Sequence, residues 1–246
     1  MVLFIGTSGW AYKEWKPAFY PADLPQKSFL EHYGTRLTAC EINATFYRTQ
    51  AEATLDKWSS TTPEAFRFSL KAHRGLSYAK TLAPDERRTT FLREFVDGVS
   101  RLGPKLGAIL FQAHPRRKRA DEDLQGLLDA LPDHAPPFAF DLGDDSWDSD
   151  EVRTLIGEEG NTVCLSERDG KVPETLPPGP IAYVRMRAPD YSPAARRGWL
   201  ELLQHEAQSR DVFVFSKHEG TAADDPAGGV GLSVWLREAA VEGSDA

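Results

Sequence analysis

Four charged residues sit at or near the ends of short apolar runs: Glu41 after Ala39 and Cys40, Lys71 closing Phe66 to Lys71, Asp141 after Phe138 to Phe140, and Arg185 within Ala182 to Met186. A carboxylate that can move a proton, with an ammonium and a guanidinium that can hold an anion, suits acid/base work on a small charged or sugar-like molecule. Residues two apart on a strand share a face, which groups Glu41 with Asn43, Ser69 with Lys71, and Arg185 with Arg187. If those faces point inward, the charges must be paired, because an isolated ionised group away from water costs several kcal/mol. Neighbouring strands about 4.8 Å apart would let Glu41 meet Lys71, and Asp141 would reach Arg185 across the mouth. Two acids against three bases leave a positive surplus suited to a phosphate or carboxylate on a ligand. The alternative is a closed ion-pair network with a purely structural role.

The elements that would position these groups are eight short β-branched or apolar runs: Val2 to Gly6, Ala39 to Asn43, Phe66 to Lys71, Ala108 to Gln112, Phe138 to Leu142, Thr162 to Leu165, Ala182 to Met186 and Val212 to Phe215. Helical stretches lie between them. Pro84-Asp85-Glu86 opens one that carries Phe91, Leu92, Phe95, Val96 and Val99 and stops at Gly103-Pro104. Asp121 to Leu131 and Ala194 to Gln208 read the same way. Parallel strands need such crossovers, so the pattern predicts an α/β (β/α)8 TIM barrel spanning residues 1–246 as one domain, with 240–246 as a disordered tail. The unit after Thr162 to Leu165 has a proline-rich crossover too short for a full helix, which makes the barrel irregular around strands five to seven. Gly220 to Gly231 reads as a mobile loop on the face where barrel chemistry sits. A doubly wound nucleotide-binding sheet is disfavoured: the first strand runs into Gly6-Thr7-Ser8-Gly9-Trp10, not G-x-G-x-x-G, and there is no P-loop.

Composition narrows the partners. A formal net charge of −8 repels polyanions on average. Cys40 and Cys164, both among apolar neighbours, suit a reduced compartment, and Met1 leads straight into the first strand with no long apolar run, so a cytoplasmic protein without a membrane span is expected. Five aromatics between Trp10 and Tyr20 form either stacking walls for a sugar or base, or the packed top of the barrel. His73, His114 and His218 with Asp144, Asp145 and Glu167 could be imagined around a metal, but no ligand spacing supports one, and no metal or cofactor is expected.

The segments Thr-Ser-Gly-Trp-x-Tyr-x-x-Trp, Glu-Ile-Asn-x-Thr-Phe-Tyr-Arg and Phe-x-Phe-Ser-x-Lys, beginning at Thr7, Glu41 and Phe66, resemble the YecE-like family, domain of unknown function 72. The resemblance implies a TIM barrel and no particular activity. Carried over residue by residue, it points to Thr7, Ser8, Trp10, Tyr12, Trp15, Asn43, Phe46, Tyr47, Arg48, Gln112 and Trp147 as substrate-binding candidates beside Glu41, Lys71, Asp141 and Arg185, with Arg187 added by its shared face. The second half departs from the pattern. Asp141 to Trp147 lacks the Arg and His of Glu-Phe-Arg-His-x-Ser-Trp, and Tyr183 to Ala188 has Arg187 where relatives carry His. The last strand, Phe213 to His218, lacks the usual Asn pair. This marks a diverged member with altered or lost activity, if those residues serve catalysis in relatives.

Three functions remain. The first is an enzyme, hydrolase-like, acting on a small anionic or sugar-like metabolite, with Glu41 as acid/base and Lys71 and Arg185 clamping the anion. The second handles nucleic acid or nucleotides through the basic run Arg116 to Arg119 and stacking rings. The third is a non-catalytic ligand-binding barrel.

Overall fold

The predicted runs form nine strands: β1 (Leu3–Ser8), β2 (Ala39–Ile42), β3 (Arg67–Lys71), β4 (Leu106–Gln112), β5 (Phe138–Asp141), β6 (Thr162–Val163), β7 (Leu165–Glu167), β8 (Ile181–Met186) and β9 (Asp211–Ser216). The computed structural model describes residues 1–242. Every pairing is parallel, in the order β6-β5-β4-β3-β2-β1-β9-β8-β7. The two ends of this order, β6 and β7, flank the single residue Cys164. They are two halves of one predicted strand, the first paired with β5 and the second with β8. Backbone bonds bracket the break: Cys164 N–H donates to Phe140 O and Arg187 N–H donates to Glu167 O. The sheet is therefore a nearly closed barrel of eight strand positions, kinked at the sixth.

The helices are α1 (Phe29–Arg36), α2 (Ala44–Tyr47), α3 (Glu52–Thr61), α4 (Arg74–Ser77), α5 (Glu86–Val99), α6 (Asp121–Leu128), α7 (Asp150–Glu158), α8 (Pro193–Glu206) and α9 (Gly229–Glu242). Local sequence explains their starts. Asp85 accepts the Arg88 N–H, Ser149 that of Val152, and Ser192 that of Ala195 ahead of Pro193, each cap worth about 1 kcal/mol. On α5 the buried residues are Leu92, Phe95, Val96 and Val99, the stripe the helical period demands. No helix joins β7 to β8, in keeping with the proline-rich 168–180 segment. Two expectations are corrected. Gly229 and Gly231 belong to the start of α9, not to the preceding loop, and residues 240–242 are its last turn rather than tail. Residues 243–246 lie outside the described residues.

Alternation along the strands sorts the interior into layers. Phe4, Ala39, Ala108, Leu110, Ala139, Ile181, Tyr183, Phe213 and Phe215 form a separate buried cluster from the shell between sheet and helices. One step further along β2, β5 and β8 come Glu41, Asp141 and Arg185, with Ser69 from β3 among them, all buried. The barrel is thus apolar at the N-terminal half of its bore and charged towards the C-terminal mouth.

The β1–β2 contact leaves no room for a side chain at Gly6. A Cβ there would lie 1.9 Å from Ala39 O and 3.0 Å from the Tyr33 hydroxyl. Gly6→Ala is expected to cost more than about 3 kcal/mol in urea denaturation, whereas Gly98→Ala, exposed on α5 with nothing within 4 Å of its Cβ, is expected to stabilise by about 0.5–1 kcal/mol.

Candidate functional site

Glu41 is fully buried on β2 and is the hub of the charged layer. Its Oε1 accepts from Ser8 Oγ at 2.5 Å, Arg185 Nη2 at 3.1 Å and Arg187 Nη2 at 3.1 Å. Its Oε2 accepts from the Tyr183 hydroxyl at 2.9 Å and Arg185 Nε at 3.0 Å. Arg185 then bridges to the second carboxylate, with Nη1 3.0 Å from Asp141 Oδ2, which also accepts from Gln112 Nε2 at 2.7 Å and Ser166 Oγ at 3.0 Å. Tyr183 on β8 meets Ser69 on β3 at 2.7 Å, so the network crosses the bore rather than running along one ladder.

This geometry settles the charge states. Burial pushes the Glu41 carboxyl upward, but the Arg185 and Arg187 charges and the Ser8 hydrogen bond outweigh it and hold it down at about 2. For Arg185, burial works against the charge and is overcome by Glu41, Cys164 and Asp141, which raises it. Arg187 is lowered by burial: Glu41 pulls the other way, but Arg185 repels it.

Lys71 stands apart. The expected Glu41–Lys71 contact is not formed, because in the parallel register Glu41 lies opposite Ser69, and Lys71 is two residues further along. The half-buried ammonium lies 4.3 Å from the centroid of the Phe46 ring and makes no ion pair or hydrogen bond among the described residues. Burial and the Arg185 charge lower it to about 8 against the opposing pull of Glu41 and Asp141. Asn43, half-buried just before α2, has no side-chain cap bond.

The other candidates scatter. Thr7 bonds the Tyr33 hydroxyl. Trp15 is core, and Trp10 meets Trp58 edge-on. Tyr12 stacks on His218 at 4.2 Å, joining the first loop to the last. Trp147 is buried with Nε1 donating to Arg117 O, while Tyr47 and Arg48 are exposed. Phe46 is buried beneath Lys71. Sequence reasoning missed Tyr183 and Ser166. Tyr183 was within reach of the rule that selected Arg185, being two residues earlier on the same face. The basic run is largely spent within the fold: Arg117 donates to Ala79 O and Lys80 O, Lys118 pairs with Asp144 at 3.3 Å, and Arg119 pairs with Asp121 at 2.6 Å. Among the described residues no three His, Cys, Asp or Glu converge as a metal site.

A cavity of about 670 Å³ opens beside the mouth where the sixth unit has no helix. Asp141, Cys164 and Ser166 belong to its wall, Asp141 and Ser166 being network members as well, and Thr175 and Pro177 line the far side. Its volume lies in the range of small-molecule pockets.

Fold and mouth together define a (β/α)8 barrel with a charged cluster at the C-terminal ends of its strands, where such barrels carry their sites. Within that class the chain belongs to the protein family of unknown function DUF72, whose model matches residues 4–232. It is 26% identical over 187 residues to the UPF0759 protein YunF of Bacillus subtilis (strain 168); the match covers 71% of this chain and 65% of that relative's length. A DUF72 protein of Thermotoga maritima superposes with TM-score 0.77 at 18% identity, covering 97% of this chain and 99% of that one. One from Enterococcus faecalis gives 0.74 at 16% identity, covering 98% and 96%. These likenesses concern the fold.

Glu41→Gln removes the charge that holds two buried guanidinium groups and is expected to cost on the order of 3–5 kcal/mol in urea denaturation. The wild type carries a matching pH dependence. The folded carboxyl sits below its ordinary value of 4.5, at about 2, so its contribution is complete above pH 4.5 and is lost as pH falls towards 2. That loss is roughly 3 kcal/mol, to be read as a denaturant midpoint falling across this window in wild type and much less in Glu41→Gln.

Proposed function

We propose that this protein is an enzyme that binds a small anionic metabolite at the mouth, with Lys71 and Arg187 facing the anion. The observation that carries the reading is that Lys71 has no acid of its own beside a network whose two carboxylates are already engaged. An anionic group on a ligand would supply the missing counter-charge. The cavity beside Asp141 is a separate space, since neither Lys71 nor Arg187 is among its lining residues.

In this reading Glu41 changes role from the one its position suggested. A carboxylate held by two arginines, a tyrosine and a serine, with its proton affinity lowered, is a poor general acid at neutral pH. It anchors Arg185 and Arg187 instead. Asp141 likewise shares its Oδ2 among three donors. Hydrolysis by a pair of free carboxylates is therefore less well supported than chemistry centred on the lysine. The nucleic-acid reading draws little support, since Arg117 to Arg119 are engaged with the protein.

Titration calorimetry with inorganic phosphate is expected to detect binding to wild type and at least about a tenfold weakening in Lys71→Met, equivalent to 1.4 kcal/mol or more. The unpaired side chain makes that variant's stability loss small, within about 1 kcal/mol of wild type by denaturation. Equal phosphate affinity in the two proteins would overturn the assignment.

A further inference from the structure

We propose that the Lys71 amine is a nucleophile that forms an imine with an aldehyde or ketone carrying a carboxylate or phosphate; this deepens the anion-binding reading above and rests on it. Four observations converge on this residue. It closes β3 at the C-terminal mouth, half-buried and so open to an incoming ligand. No carboxylate fixes its nitrogen as an ammonium among the described residues, since Glu41 and Asp141 are taken by Arg185 and Arg187. Its apolar side is the Phe46 face, 4.3 Å from the ring centroid, and a nearby guanidinium disfavours a second positive charge. An amine that is partly desolvated and next to another cation is one that loses its proton near neutral pH and becomes nucleophilic.

The same surroundings suit the product. The neutral amine adds to the carbonyl carbon, and the carbonyl π pair moves to oxygen, which takes a proton to give a carbinolamine. The nitrogen, having passed one of its protons to that oxygen, then uses its lone pair to expel it as water with a second proton taken from solvent, leaving a protonated imine. An imine nitrogen is less basic than the amine, so in surroundings that on balance disfavour a positive charge it passes this proton to water and stands neutral beside the Phe46 face. Arg187, which has only one long contact from Nη1, 3.5 Å to Phe215 O, can turn that arm to the substrate's anionic group. No co-reactant is needed.

The test is reductive trapping on the intact protein at pH 7.5, with sodium cyanoborohydride and limiting glyoxylate, followed by peptide mapping of carboxymethylated lysines, or of hydroxyethylated lysines where glycolaldehyde is used. Glycolaldehyde serves as the uncharged comparison. Lys71 is expected to be labelled on the order of tenfold or more faster than exposed Lys13, Lys57 and Lys80, faster with glyoxylate than with glycolaldehyde, and to be protected by inorganic phosphate. The competition among lysines is internal to the wild type, so it needs no variant to fold. Labelling of Lys71 no faster than the exposed lysines would overturn the nucleophile, and phosphate binding that still depends on Lys71 would then leave the anion-binding reading standing. Equal rates with the two carbonyls and no phosphate protection would instead contradict the anionic substrate.

Discussion

A carboxylate with no exposure to water, Glu41 in the bore of the barrel, is the constraint around which the C-terminal half of this structure is arranged. An unpaired charge there would cost several kcal/mol, and its five accepted hydrogen bonds draw in Ser8 from β1, and Tyr183, Arg185 and Arg187 from β8 and the residue after it. Arg185 carries the requirement across to Asp141 on β5, which recruits Gln112 and Ser166. Six of the eight strand positions are thereby tied by one connected set of bonds. The apolar layer beneath supplies burial, and the charged layer fixes how the strand ends are disposed.

Satisfying Glu41 and Asp141 with arginine leaves a positive charge over. Had Lys71 stood level with Glu41, it would have been one more member of the network. The register sets it two residues, roughly 6.6 Å, further towards the mouth, where Phe46 rather than a carboxylate receives it. The buried network thus acts on Lys71 indirectly: it engages the nearby acids, and Arg185 joins burial in disfavouring the lysine's charge. The kink at Cys164 has a related effect on space. With the sixth strand split and its helix absent, the wall beside Asp141 gives way to a cavity large enough for a metabolite.

Much of this was legible in the sequence. The eight runs locate the strand positions, Asp85 and Gly103-Pro104 bracket a helix, and the proline-rich stretch after Thr162 announces the irregular unit. The expected bridge from Asp141 to Arg185 is formed, and the face shared by Arg185 and Arg187 also follows from alternation. The partner of Glu41 did not, because alternation assigns a face but not the height of one strand against the next, and the choice between Lys71 and two arginines depends on that height. Arg187 gives Glu41 a second guanidinium. The aromatic segment from Trp10 to Tyr20 was ambiguous for a similar reason. Composition cannot say whether rings face a ligand or one another, and here Trp15, Phe19 and Tyr20 are interior. The partners of the basic run were out of reach of the sequence where they come from other segments, as Ala79 and Lys80 do for Arg117 and Asp144 for Lys118.

The central claim is that the buried network leaves Lys71 without an acid and therefore easily deprotonated. The direct measurement is the titration of the Lys71 side chain by nuclear magnetic resonance, with lysines labelled at the ε carbon and Lys71→Met used to assign the signal. A midpoint lowered to about 8, well separated from the exposed lysines, is the expected result. A midpoint at or above the ordinary lysine value of 10.5 would show that a carboxylate pairs with it after all and would contradict this account.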